Sequence, residues 1–133
     1  MRTVLFSLLL AFGLAGASAA QDDPVSSVIQ NQLDAFLEDD FATAFSFASP
    51  TIKQMFGSPE RFESMVRNGY PMVHRPAGVE YLDQRSEGGR VYQTVEIVDQ
   101  AGAAHYLEYE MVETPYGWQI NGVRFVQPPS VGA

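Results

Sequence analysis

The sequence predicts an α+β domain with N-terminal helices packed on a four-stranded antiparallel meander sheet. Two observations predict this fold class. Apolar residues recur at helical spacing up to about residue 69, and the spacing changes to about two from residue 70 onward. Short turn segments separate the later apolar runs, which is typical of strands joined to antiparallel neighbours. Helices first and a meander last is an α+β layout.

The first predicted helix covers residues 24–38. Asp23 is its predicted N-cap, and Pro24 suits the first helical position. Apolar residues recur along one face of this helix at Val25, Ile29, Leu33, Phe36 and Leu37. The acidic run at residues 38–40 ends the helix, and Asp40 is the predicted cap of a second, shorter helix.

Two further helical segments are predicted from serine-proline pairs at residues 49–50 and 58–59. Each pair provides a cap followed by a proline, which is a helix start signal. The first pair opens a segment of about one turn, and the second opens a helix that stops near Gly69. Residues 70–76 are bounded by prolines, and we predict an extended connector there.

Four strands follow, at residues 79–85, 91–99, 104–113 and 117–126. Alternation places the side chains of His105, Leu107, Tyr109 and Met111 on one face of the third strand. Glu108 and Glu110 point to the opposite, outer face. A β-bulge is predicted at Asn121-Gly122, because it would shift the phase and keep Val123 on the inner face.

Residues 1–20 are predicted to be a cleavable signal peptide. Arg2 supplies a positive charge, residues 4–14 form a short apolar run, and residues 17–19 form an A-x-A cleavage site. A membrane anchor is the alternative, but spanning a bilayer needs about 20 apolar residues. Glycine and serine interrupt this run before it reaches that length, so we expect its removal.

After the signal, we expect one domain over residues 21–126 and a flexible tail over residues 127–133. The chain has no cysteine, which excludes disulfides and thiol catalysis. A net charge of −8 repels nucleic acid and anionic membranes. We therefore expect a periplasmic or secreted monomer or homodimer that binds no nucleic acid and, once the signal is removed, no membrane.

Several segments resemble known proteins. QLDAFLEDDFATAF at residues 32–45 resembles the opening of nuclear-transport-factor-two-like domains, and GWQINGV at 117–123 resembles their last strand. More narrowly, AFSFASP at 44–50, MVRNGYPMV at 65–73 and YEMVET at 109–114 are similar to a bacterial family catalogued as domain of unknown function forty-eight sixty-four. The similarity extends over nearly the whole predicted domain.

The resemblance implies a curved antiparallel sheet wrapped by helices, forming a cone whose mouth can hold a small apolar molecule. Members of the superfamily include isomerases, dehydratases and binding modules, so the fold does not settle the activity. Catalytic members of related families place Asp, Tyr or His residues in the cone. No motif of this sequence aligns with such a set.

The candidate cavity residues have polar tips on apolar or aromatic side chains. A small-molecule site usually combines apolar walls with a few polar groups. The residues predicted to line any cavity are Tyr70, His74, Tyr81, His105 and Tyr109. Because the sequence has no G-x-S-x-G elbow and no Gly-rich phosphate loop, no catalytic residue is assigned. Two histidines far apart in sequence do not predict a metal site, and no cofactor is expected.

Three functions remain open from the sequence. The leading hypothesis is a non-catalytic module that binds a small apolar ligand or a protein partner. The second is a hydrolyase or isomerase in which His105 acts as a general base beside Tyr109, which requires a carboxylate or carbonyl at the other ring nitrogen. The third is an assembly role in which Tyr92, Tyr106 and Val112 on the outer sheet face contact a partner.

Overall fold

Helices occupy the first half of the described chain, and four of them begin at a proline. The computed structural model describes residues 23–129. The helices are α1 (Pro24–Leu37), α2 (Phe41–Ser46), α3 (Pro50–Phe56), α4 (Pro59–Gly69) and α5 (Pro71–His74). Proline at a first helical position loses no helical hydrogen bond, because the N–H there has no partner within the helix.

The predicted helix starts and the predicted break after α1 are confirmed. The side-chain oxygens of four caps accept hydrogen bonds from first-turn backbone N–H groups, and these caps are Asp23, Asp40, Ser49 and Ser58. α1 ends at Leu37, and Asp39 then adopts a φ of 57°. This left-handed residue turns the chain into α2.

The extended connector predicted at residues 70–76 is wrong, because the chain forms α5 there. Pro71 fixes φ at a value that suits a first helical turn. Met72 and Val73 are both buried. Adjacent side chains on an extended segment point in opposite directions, so one helical turn is the better way to bury both.

The second half of the described chain forms the predicted four-stranded meander. Its strands are β1 (Gly78–Glu87), β2 (Arg90–Val98), β3 (Ala104–Thr114) and β4 (Gly117–Phe125). Neighbouring strands pair antiparallel in the order β1-β2-β3-β4. At the β1–β2 turn, Gly88 and Gly89 have φ values of 60° and 81°, which side chains with a Cβ rarely adopt.

The predicted bulge in the last strand is also confirmed. Glu110 pairs with Gly122 and Met111 pairs with Ile120, so Asn121 is the extra residue. A second irregularity lies in β1, between Tyr81 and Gln84. The extra residue shifts the alternation of side chains along β4, so that Val123 faces the helices.

One core lies between the helices and the inner face of the sheet. Leu107, Tyr109 and Met111 of β3 are at most 1% exposed. The outer edge of β4 is partly covered, because Ser49 N donates to the carbonyl of Ile120 at 2.8 Å and Ile120 N donates to Phe47 at 2.9 Å. The segment between α2 and α3 thereby joins the helical layer to the sheet.

Two predictions concern the ends of the chain. The signal peptide at residues 1–20 lies outside the described residues. The tail at residues 127–133 is described only to residue 129, and residues 127–129 contain no helix or strand. Both stay predictions. Within residues 23–129, no helix is long and apolar enough to cross a membrane.

Candidate functional site

An apolar cavity of about 280 Å³ lies between the helical layer and strands β3 and β4. Side chains from α1, α3, α4 and both strands form its walls. Its apolar lining includes Phe36, Ile52, Phe56, Phe62, Val66 and Val123. A concave site with walls of this kind is the usual form of a small-molecule pocket, and its volume lies just below the usual range of about 300–1,000 Å³.

The cavity opens to solvent near α3 and α4. Met55 lines it and is 65% exposed, and Met65 lines it and is half-buried. Methionine side chains are flexible and polarizable, so they adapt to apolar surfaces of different shape. Phe125 extends this apolar rim by stacking on Tyr70, with 5.1 Å between the ring centroids.

Three polar side chains interrupt the apolar lining: Gln32, Tyr70 and Tyr109. The hydroxyl of Tyr70 donates to the carbonyl of Val123 at 3.1 Å. Nε2 of Gln32 donates to the carbonyl of Ala44 at 3.1 Å. The Tyr109 hydroxyl has no hydrogen-bond partner among residues 23–129, although the side chain is only 1% exposed.

Tyr109 is held in its neutral form. Burial raises the pKa of its hydroxyl, and the nearby Tyr81 and Tyr70 raise that pKa further. The phenol is therefore a hydrogen-bond donor at every physiological pH. Of the two tyrosines that line the cavity within residues 23–129, Tyr109 is the one whose hydroxyl has no hydrogen bond to that part of the chain.

The comparisons with known proteins identify the family. Residues 18–133 match the family described as Domain of unknown function (DUF4864). The chain belongs to this family. A comparison with curated proteins gives no match.

The fold of this DUF4864 protein is similar to that of a solved structure. The crystal structure of a candidate NTF2-like transpeptidase from Campylobacter jejuni matches with a TM-score of 0.54 and 8% sequence identity. The match covers 71% of this chain and 94% of that one. At this identity the likeness shows the fold alone, and that fold is the NTF2-like α+β architecture expected from the sequence.

Tyr81 lies next to the cavity but does not line it. Its hydroxyl donates to Oε1 of Gln30 on α1 at 2.8 Å. Burial raises the pKa of Tyr81, and Asp34 raises it further. The hydrogen bond joins β1 to α1, so this tyrosine is engaged within the protein.

His105 lies in a separate surface hollow of about 300 Å³ and not in the apolar cavity. Its Nε2 is 2.7 Å from Oδ2 of Asp99, and Oδ1 of Asp99 accepts the backbone N–H groups of Ala101 and Ala103 at 2.9 Å. The hydrogen bond from His105 is the largest cause that lowers the pKa of Asp99. This arrangement holds the β2–β3 turn together.

The structure does not bring His105 and Tyr109 to one site. They share a face of β3 but are four residues apart, which is about 13 Å along a strand. Only Tyr109 lines the apolar cavity. Asp99 provides the carboxylate that a His105 general base would need. The geometry does not support the predicted joint action of His105 and Tyr109, because they line different pockets.

His74 is also outside the cavity, at the contact between α5 and the turn after α1. Its Nε2 is 2.7 Å from Oδ1 of Asp39, and Nη2 of Arg75 is 3.0 Å from the same oxygen. Its ring packs on Phe41, with 5.4 Å between centroids. The hydrogen bond with His74 is the main reason that the pKa of Asp39 is lowered.

The outer face of the sheet carries polar pairs around its aromatic side chains. The guanidinium of Arg85 lies 4.5 Å from the ring centroid of Tyr92, and the Tyr106 hydroxyl donates to Glu96 at 2.9 Å. Val112 is half-buried. Within residues 23–129, no group of three or more metal-ligating side chains is found.

Sequence reasoning missed Gln32 as a cavity residue. Ile29, Gln32, Leu33 and Phe36 have the i, i+3, i+4, i+7 spacing of one helix face, so the glutamine lies within the apolar face of α1. A polar residue in such a position is a signal for a buried hydrogen bond or a pocket. In the structure, Gln32 makes a buried hydrogen bond to Ala44 and also lines the cavity.

Proposed function

We propose that this protein is a non-catalytic binding module whose cavity between helices and sheet takes a small, mainly apolar ligand. The observation that carries this proposal is the cavity of about 280 Å³ with apolar walls, an open side at Met55 and an unpaired phenol on Tyr109. A ligand in this space would bury its apolar surface, which is the dominant favourable contribution to such binding.

The lining argues against covalent catalysis in the cavity. Nucleophilic catalysis uses Ser, Cys, Thr, Lys, Asp, Glu, His or Tyr, activated by a base or a lowered pKa. Of these residue types, only Tyr70 and Tyr109 line the cavity in the described part of the chain, residues 23–129. The Tyr70 hydroxyl donates to a backbone carbonyl, and the pKa of Tyr109 is raised, which is the opposite of activation. A binding function therefore fits these residues better than covalent catalysis does.

The size of the cavity limits the ligand. A molecule of liquid water occupies about 30 Å³, so the cavity holds on the order of ten non-hydrogen atoms. Naphthalene, a neutral hydrocarbon of about that size, is a suitable first probe. If the predicted signal peptide directs export, the proposed binding takes place outside the cytoplasm.

A titration with a cavity-filling variant tests the proposal. Val123 lines the cavity, whereas Val112 lies on β3 and faces the other side of the sheet, and both are half-buried. We expect naphthalene to bind the wild type and Val112→Trp but not Val123→Trp, because the indole occupies the ligand space. The dissociation constants are measured by fluorescence titration.

A second measurement guards against misfolding of the variant. Amide chemical shifts of the wild type are recorded with and without naphthalene, and the largest changes are expected around Ile52, Val66 and Val123. Mass spectrometry of small molecules that co-purify with the wild type then identifies a natural ligand. The absence of any shift change at these residues, or equal binding by Val123→Trp, contradicts the proposal.

A further inference from the structure

Two side chains that line the cavity each carry an oxygen atom without a hydrogen-bond partner among residues 23–129. One is the hydroxyl of Tyr109 on β3, and the other is Oε1 of Gln32 on α1. The Gln32 side chain is 5% exposed, and its Nε2 is fixed by the carbonyl of Ala44. Because this bond fixes the orientation of the amide group, Oε1 is a hydrogen-bond acceptor that receives no donor from residues 23–129.

Neither oxygen is sealed inside the protein. Within residues 23–129, the one fully enclosed side-chain oxygen without a partner is Oε1 of Gln119, which does not line the cavity. The oxygens of Gln32 and Tyr109 therefore keep accessible surface, and the open space that both side chains border is the cavity. A buried polar group without a partner destabilises a protein, so such pairs in a pocket usually serve a ligand or water.

Within residues 23–129, the side chains that line the cavity are uncharged, and none of them is Asp, Glu, Lys, Arg or His. An ionised carboxylate or amine placed there would lose its hydration without gaining a counter-ion. A carboxylate would also meet the acceptor oxygen of Gln32, which repels it. These features exclude fatty acids and alkyl amines as favoured ligands.

We infer that the cavity selects a neutral alcohol, an apolar body with one hydroxyl group. The hydroxyl accepts a hydrogen bond from Tyr109 and donates one to Oε1 of Gln32. An ether or ketone only accepts, so it would leave the glutamine oxygen unpaired. The inference rests on the proposed function, since it specifies the ligand class for the same cavity.

Two isomers test the need for a donor. Octan-1-ol and dibutyl ether have the same molecular formula and a size that fits the cavity, but only the alcohol donates a hydrogen bond. We expect octan-1-ol to bind about five- to tenfold more tightly than the ether, which corresponds to one net hydrogen bond. Octanoate is expected to bind more weakly than both. Isothermal titration calorimetry measures all three affinities at one pH.

Two matched variants test the role of the phenol. Tyr109→Phe removes the unpaired hydroxyl, so we expect an unchanged or higher melting temperature and a five- to tenfold loss of octan-1-ol affinity. The same variant should bind dibutyl ether with a smaller loss. Tyr81→Phe is the control, because its hydroxyl is bound to Gln30 and does not line the cavity. It should leave both affinities unchanged.

The outcomes separate this inference from the proposed function. Equal affinities for alcohol and ether, or an unaltered octan-1-ol affinity in Tyr109→Phe, overturn the alcohol selectivity while the binding function stands. Naphthalene binding without octan-1-ol binding has the same consequence. If none of the four probes binds, the proposed function itself fails, and the inference fails with it.

Discussion

Glu108 is a nearly buried carboxylate on the outer face of the sheet. Its side chain is 7% exposed and lies between the guanidinium groups of Arg85 and Arg124, each with an N···O distance of 2.7 Å. Burial alone raises the pKa of Glu108, but hydrogen bonds from the two arginines outweigh burial, and the net pKa lies below its usual value. Glu108 thereby couples β1, β3 and β4.

The lowered pKa of Glu108 predicts a pH-dependent stability. A carboxylate whose folded pKa is depressed stabilises the fold above its unfolded pKa of about 4.3, and this contribution is lost as pH falls through the folded pKa. We expect Glu108→Gln to lower the free energy of unfolding by about 1–2 kcal/mol at pH 7, from weakened charged hydrogen bonds. The difference from wild type should shrink below about pH 4.

Urea denaturation of both proteins across this pH range measures the effect. Glu113→Gln is a suitable control, because Glu113 lies on the same strand and is exposed. It should match the wild type at each pH. A Glu108→Gln deficit that stays constant between pH 7 and acid pH would mean that the carboxylate charge is not what stabilises the cluster.

Ser49 shows how a cap at one element also fixes another. Its hydroxyl accepts the N–H of Ile52 at the start of α3 and donates to Oδ1 of Asn121 at 2.7 Å. Asn121 is the bulged residue of β4, and its Nδ2 donates to Glu110 at 2.8 Å. The start of α3 and the bulge are therefore held by one hydrogen-bonded chain.

The two serine caps give a matched prediction. Ser49→Ala should lower the free energy of unfolding by about 2 kcal/mol, since both the cap and the bond to Asn121 are lost. Ser58→Ala removes only the exposed cap bond to Arg61 N and should cost about 1 kcal/mol. Thermal or urea denaturation measures both. Equal losses would show that the bond between α3 and the bulge contributes nothing.

Local signals explain why the sequence predicted these elements. Caps before prolines marked the starts of α1, α3 and α4, and glycine-containing turns separated the strands. The bulge was predictable because Asn121-Gly122 interrupts an alternating pattern whose inner face must be kept. α5 was missed because its single turn is set by the burial of Met72 and Val73, which depends on the whole core.

The candidate site was less accessible from the sequence. Strand alternation gives the face of His105 and Tyr109, but it does not show how far the helical layer extends along that face. The helices cover β3 at Tyr109, whereas His105 lies at the β2–β3 turn, where Asp99 binds it. The hydroxyls of Tyr70 and Tyr81 bind Val123 and Gln30, partners that spacing along the chain could not identify.

The cavity exists because the helical layer packs unevenly on the sheet. α1 packs closely on the sheet through residues such as Ile29 and Leu33, which are fully buried. α3 contributes no buried residue, and its apolar side chains Ile52 and Phe56 are half-buried along the cavity. The space therefore opens beside α3, whose apolar side chains pack against the core without being fully buried, and ligand binding would stabilise this helix.

The export signal predicted in residues 1–20 gives a testable expectation for the whole chain. Expressed in a bacterium, the wild type should be found in the exported fraction with a new N-terminus at Ala20 or Gln21, as read by N-terminal sequencing and intact mass.

Leu9→Arg places a charge in the apolar run and should leave the full-length chain inside the cell. Leu37→Arg, at a position 47% exposed on α1, is the matched control and should be exported like the wild type. A full-length wild-type chain in the exported fraction would contradict the predicted cleavage, and one retained in the cytoplasm would contradict export itself.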